Sequence, residues 1–203
     1  MKKSIYSLLI TAAILTGCSK EYELRESVFI PDKTFSELPA YTEWGYNTFG
    51  AFYDRELFLY STKEVPAKII CTGGTTSFVL RGQKNSYGYY YWNDADEMSV
   101  TFALSGLQPS GFADLVSLNG KSFDLTDVSN KVTVFMDGAT IEPQMLEGEL
   151  VFRRAQQLFV DKQQIEVILS GEFSFKAIVS GNPVSMSEGR FDVGIANDNF
   201  FKY

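Results

Sequence analysis

The chain has 203 residues, 45% hydrophobic and 15% aromatic, which is enough apolar side chain for a substantial core and too much for global disorder. Its 18 basic and 25 acidic side chains give a net charge of −7 with no basic run, which argues against nucleic acid as a partner. Histidine is absent and cysteine occurs twice, so Ser-His and Cys-His nucleophile pairs, His-ligated zinc or iron, and Cys-rich metal sites are excluded, and no cofactor is expected.

Residues 1–17 have the layout of an export signal. Lys2 and Lys3 precede an apolar stretch from Ile5 to Leu15 that only Ser7 and Thr11 interrupt. Eleven helical residues reach about 16 Å, roughly half of a hydrocarbon core, so the stretch is too short for a stable span. The tetrad Leu15-Thr16-Gly17-Cys18 resembles the lipobox of bacterial lipoproteins. That resemblance implies a diacylglycerol on the Cys18 sulfur, cleavage before it, and acylation, palmitate included, of the new amine. Two or more chains, at about 0.8 kcal/mol per buried CH₂, hold firmly where one does not. The plainer alternative is an ordinary secretory signal followed by a chance cysteine. Cleavage would leave 203 − 17 = 186 residues, a comfortable single domain, with a charge of (18 − 2) − 25 = −9. Such acidity argues against a second, electrostatic attachment to anionic lipid. The expected location is the cell envelope, lipid-anchored at the outer membrane.

Residues 18–38 read as a lipidated tether, polar and with little periodicity, and residues 39–203 as one β-rich domain. Glu21, Glu23 and Glu26 resemble the acidic surface-export tags of Bacteroidales lipoproteins, although Lys20 departs from their clean acidic run. Surface display and a periplasmic face both stay open.

Beyond the tether the dominant period is two. Short strands are predicted at residues 57–61, 68–71 and 77–81. Val100, Phe102 and Leu104 alternate with Thr101, Ala103 and Ser105. Asn119-Gly120 between 113–118 and 121–125 predicts a hairpin, since Asn-Gly suits a type I′ turn. Val132, Val134 and Met136 share a face, and 149–153 forms another strand. A short helix is predicted within 155–161. Ile165, Val167, Leu169, Gly171, Phe173, Phe175, Ala177 and Val179 then keep one parity, with Glu166, Ser170, Glu172, Ser174 and Lys176 on the other. The turn Ser180-Gly181-Asn182-Pro183 leads into Gly189, Phe191, Val193 and Ile195, which closes an antiparallel hairpin. Nine or ten strands at regular spacing predict an all-β fold, an antiparallel sandwich or barrel.

Two blocks carry a resemblance at the level of the whole domain. Leu38-Pro39-Ala40-Tyr41-Thr42-Glu43-Trp44-Gly45-Tyr46-Asn47-Thr48-Phe49-Gly50-Ala51-Phe52-Tyr53-Asp54-Arg55 is one. Leu169-Ser170-Gly171-Glu172-Phe173-Ser174-Phe175 with Gly189-Arg190-Phe191-Asp192-Val193 is the other. Both resemble segments of uncharacterised β-rich Bacteroidales lipoproteins. The resemblance implies a lipid-anchored β domain and brings no catalytic or ligand residues with it.

The candidate contact surface is Tyr87-Gly88-Tyr89-Tyr90-Tyr91-Trp92, five aromatics in six residues. Tyr87, Tyr89, Tyr90, Tyr91 and Trp92 pair flat apolar faces with polar handles, as a glycan or protein ligand requires. A strand that buries alternate rings would account for the same pattern. Asn93-Asp94-Ala95-Asp96-Glu97 offers oxygens but lacks the glycine and distal Glu of an EF-hand loop, and turn chemistry explains it better than Ca²⁺. Asn197-Asp198-Asn199 is weaker in the same way. Trp44-Gly45-Tyr46-Asn47 with Asp54-Arg55 reads as a structural corner, with Asp54 or Glu43 pairing Arg55, before it reads as a functional loop. Cys71, in step with Ile69, reads as a buried thiol. Two function classes follow: a non-catalytic binding or structural module, and a carboxylate-dependent glycan hydrolase built on acids such as Glu147 and Glu149.

Overall fold

The computed structural model describes residues 26–60, 66–84 and 97–203. The predicted signal, Cys18 and the aromatic run Tyr87–Trp92 lie outside the described residues. Twelve strands are found among those described: β1 (Thr48–Tyr53), β2 (Glu56–Tyr60), β3 (Ala67–Thr72), β4 (Thr75–Lys84), β5 (Glu97–Ser105), β6 (Lys121–Asp124), β7 (Lys131–Met136), β8 (Ala139–Ile141), β9 (Gln144–Val160), β10 (Gln163–Val179), β11 (Asn182–Ile195) and β12 (Phe200–Lys202). The fold is all-β, as its period-two patterning predicts.

The strands make one sheet in the order β6-β9-β10-β11-β1-β2-β4-β5-β7-β8, with β3 beside the first part of β4 and β12 parallel to β3. The sheet doubles over on itself. Phe78 of β4 packs its ring 5.5 Å from Phe152 of β9 and 4.9 Å from Phe191 of β11. Phe102 of β5 lies 5.4 Å from Phe173 of β10. The β4–β5 half thus faces the β9–β11 half, and alternate residues of both fill a common core.

The second half of the long hairpin β10–β11 keeps the predicted parity, with Phe173, Phe175 and Phe191 buried and Ser174 and Lys176 exposed, whereas Glu166 and Ser170 of the predicted outward face are buried. Two cross-strand pairs explain its glycines. Gly171 lies opposite Phe191 and Gly189 opposite Phe173. A Cβ on Gly171 would come within 2.5 Å of the Phe191 ring, and one on Gly189 within 2.7 Å of the Phe173 ring. Each ring lies over a residue that has no side chain, the arrangement by which aromatics protect strand glycines.

Two local expectations are corrected. Residues 155–161 are not helical; through Val160 they continue β9, where Gln156 pairs Ile168 and Leu158 pairs Glu166. Pairing along the full length of β10 overrides the helix-compatible composition of Arg154-Ala155-Gln156-Gln157. Residues 113–118 are not one arm of a hairpin either. Phe112–Leu118 is a 3₁₀ helix that buries Leu115 and Leu118, three residues apart, the period of that helix. Asn119 has φ −53° and ψ 120°, and Gly120 has φ +71°. These are type II turn values rather than the two positive φ angles of type I′. The chain therefore leaves toward β9, and β6 pairs with β9 at Lys121↔Phe152 through Asp124↔Glu149.

The described part of the predicted tether, residues 26–38, lies on the domain. Leu38 is fully buried, Phe29 packs on the core, and the Phe35 ring meets Phe52 edge-on at 5.4 Å. Asp32 ties this segment to β11 by a 2.8 Å ion pair with Arg190. The Phe35 and Thr34 amides, and then Arg190, hold the Asp32 carboxyl below the 3.8 of a free aspartate.

The hairpin parity predicts a clear contrast between adjacent residues. Phe175→Ala is expected to cost about 3–5 kcal/mol in denaturant melts, as a large core ring lost to a cavity does. Lys176→Ala, which removes an exposed ion pair with Glu147, should cost under about 1 kcal/mol. The opposite order would mean that the two faces of β10 had been exchanged.

Candidate functional site

The predicted contact residues Tyr87, Tyr89, Tyr90, Tyr91 and Trp92 fall in segment 85–96, outside the described residues, but both roots of that segment are described. Lys84 ends β4, Glu97 begins β5, and Gln83 pairs Glu97 across the ladder. Arg81 Nε donates to Glu97 Oε1 at 2.7 Å. Lys84 Nζ lies 3.6 Å from Glu56 Oε2 and 5.9 Å over the Tyr53 ring. The connection thus leaves and re-enters the sheet between charged, paired residues.

Next to these roots, the outer face of β3, β4, β5, β7 and β8 carries a shallow depression of about 430 Å³. Arg81 and Glu97 stand at its edge, Ile70, Val79 and Phe135 give it an apolar floor, and Ser99, Thr101 and Thr133 supply hydroxyls. Hydroxyls and an ion pair around apolar patches can hydrogen-bond and stack on a polar ligand. Ser and Thr are also common on any outer sheet face. What distinguishes this depression is its place beside the roots of the aromatic run.

Trp44–Asn47 forms a corner, and its anchor differs from the predicted pairing with Arg55. Residues 41–47 form a strap across the outer face of β10 and β11, pinned by Asp192, which is 1% exposed. The Asp192 carboxylate accepts hydrogen bonds from Thr42 Oγ1 (2.6 Å), Ser170 Oγ (2.9 Å) and the amides of Trp44 (3.0 Å), Gly45 (2.8 Å) and Tyr46 (3.2 Å). Gly45 has φ +75°, and a Cβ there would come within 3.0 Å of Ile168, so both backbone and space favour glycine. Asn47 Oδ1 accepts from the Gly194 amide at 2.9 Å, and Gln156 Nε2 donates to the Glu43 carbonyl at 2.6 Å. Burial, followed by the bond from its hydroxyl to Glu43 Oε1 at 2.8 Å, pushes the Tyr41 phenol well above its ordinary range. Asp54 accepts from the Ser185 amide and Glu43 from Tyr41, and among the described residues no ion pair engages Arg55.

Glu147 is exposed and pairs with Lys176 at 2.7 Å, and Glu149 is exposed two residues on. Both line an open depression of about 470 Å³ on β9, β10 and β11, and both are exposed, whereas a glycosidase acid depends on burial to hold its proton. Asn199 is a buried brace. Its Oδ1 accepts from the Ala196 amide, and its Nδ2 donates to the carbonyls of Ala67 and Gly194. The Cys71 thiol is buried, with Sγ 3.6 Å from Thr76 Oγ1. Among the described residues no cluster of three carboxylate or thiol side chains could hold a metal ion. No protein-family model, curated protein or solved structure matches this chain.

Removing the anchor of the strap should be costly. Asp192→Ala leaves five donors without their acceptor and is expected to cost on the order of 3 kcal/mol or more in denaturant melts, with protease cleavage appearing near residues 40–47. Thr42→Ala, which removes one of the five, should cost about 1 kcal/mol. Equal, small losses from both would show that Asp192 does not hold the strap.

Proposed function

We propose that this is a lipid-anchored envelope protein, attached through acyl chains on Cys18, whose β domain serves as a non-catalytic binding or structural module. The observation that carries the reading is the lipobox-like Leu15-Thr16-Gly17-Cys18 behind a charged and apolar export signal. Among the described residues no helix is long and apolar enough to cross a membrane. The outer sheet face carries Arg153, Glu172, Lys176, Ser99 and Thr101, side chains unsuited to contact with acyl chains. An acylated cysteine supplies the attachment. The binding role is supported by the aromatic run Tyr87–Trp92, which joins two strands beside an amphipathic depression, and its ligand is a glycan or a protein surface.

The anchor is tested directly. Mass spectrometry of the envelope-purified protein should find Cys18 as the acylated N-terminus, and Cys18→Ala should release the domain from the membrane fraction without altering its melting curve. An unmodified Cys18 on the wild-type protein would defeat the reading.

The binding surface is tested by alanine substitutions from Tyr89 to Trp92, read on a glycan array, in an envelope pull-down and by thermal melts. Exposed anchors typically contribute about 2 kcal/mol or more each to an interface. Rings at the contact should therefore weaken binding with little change in stability, and rings packed on the sheet should do the reverse. A series in which every alanine lowers stability and none alters binding would remove the proposed surface.

A further inference from the structure

We infer that the surface bearing Val28, Ile30 and Trp44 rests on the interface of the bilayer that holds Cys18; this rests on the lipid-anchored reading above. From residue 26 to residue 30 exposure alternates. Ser27 and Phe29 turn inward, Ser27 Oγ donating to the Asn47 carbonyl at 2.8 Å and Phe29 packing on the core. Glu26, Val28 and Ile30 turn outward, and Val28 is 46% and Ile30 40% exposed. Val28 pairs with the strap and Ile30 with the residue before it: the Val28 amide donates to the Tyr46 carbonyl at 2.9 Å and the Ala40 amide to the Ile30 carbonyl at 2.6 Å. Trp44, two residues before Tyr46, is 73% exposed while its own amide is fixed on Asp192 at 3.0 Å. The strap therefore presents an indole to solvent from an immobilised backbone.

Distance and charge identify the occupant. Eight residue steps lead from Cys18 to Glu26, and a fully extended chain of that length spans at most about 29 Å. A domain of this size has a radius of gyration of about 16 Å and hence a diameter of about 40 Å. The tether is shorter than the domain is wide, so the side from which it departs is the side nearest the anchor. Single exposed apolar side chains such as Val128 and Leu146 are ordinary on a protein surface. Two aliphatics within four residues of Glu26, with a tryptophan two residues from the Tyr46 that pairs Val28, are a different matter, because tryptophan favours the headgroup region and aliphatic side chains the acyl boundary. The acidic chain gains nothing from anionic lipid, so the surface suits a zwitterionic bilayer.

The experiment uses the full lipidated protein carrying Trp92→Phe, so that Trp44 is the one remaining tryptophan. It is reconstituted on phosphatidylcholine vesicles with and without brominated acyl chains. Flotation reports anchoring, and Trp44 emission and its quenching by iodide report contact with lipid. The expected result is a floating protein whose Trp44 emission is blue-shifted, loses intensity on brominated lipid and is shielded from iodide. Adding Val28→Ser and Ile30→Ser should preserve flotation and reduce the blue shift. A protein that floats while Trp44 keeps aqueous emission and full iodide access overturns the seated surface and leaves the anchor intact. A protein that does not float overturns both.

Discussion

The Asp192 carboxylate is the constraint on which the outer layer of this protein depends. A carboxylate withdrawn from water is very unfavourable unless its oxygens are satisfied, and here five donors converge on it, four of them from a strap more than 140 residues away in sequence. The arrangement works in both directions. Asp192 gives three consecutive amides of an otherwise irregular segment a partner, and the strap removes Asp192, Ser170 and Ile168 from solvent. The second face of β10 is consequently buried along its first half and open along its second. The N-terminal segment extends the same cover across β1, where Pro39 lies so close to Gly50 that a Cβ there would come within 2.5 Å of it.

Beneath that layer, one sheet supplies both walls of its own core. The middle of β4 places Phe78 between Phe152 and Phe191, and the paired Phe–Gly positions on β10 and β11 let large rings lie flat where two side chains would collide. Glu188, with φ +54°, marks the irregularity that shifts register between Phe173 and Phe175 and lets the hairpin bend around the core. The outer depression beside β4 and β5 is built on this frame, so the roots of segment 85–96 are held by strands whose Phe78 and Phe102 pack in the core.

The sequence reveals the fold wherever one face of a strand is buried and the other is wet. The apolar series of β10 from Val167 onward, the Phe191–Ile195 stretch and the alternation in β5 and β7 are readable for that reason. The Arg153–Gln157 stretch of β9 is harder to read, because a register irregularity breaks its alternation and several of its side chains face water. Strands β8 and β12, three residues each, are too short to show a period. Leu115 and Leu118 fit a 3₁₀ helix, but seven residues cannot display that spacing more than once. Asp192 is illegible as an anchor, since an acid at an outward position resembles any solvated residue. The nearest signal is Trp44-Gly45-Tyr46, a turn whose amides need an acceptor. Of the candidate site, the roots and the depression are structural facts about the strands, and the aromatic run itself remains a reading of residue chemistry.

The pairing of β1 with β11 has a kinetic consequence. Thr48 finds its partner in Asp192, and Phe49 in Phe191, so a central contact of the sheet joins segments separated by most of the chain. Loop closure over such a distance is slow compared with local hairpin formation. It also cannot begin until the C-terminal strands have been synthesised. Until then Phe49, Phe78 and Phe152 lack the ring or strand that covers them, and the polypeptide has no complete core in which to settle. A precursor of the proposed kind would have to cross a membrane as an extended chain, and this topology delays folding in a way that suits it.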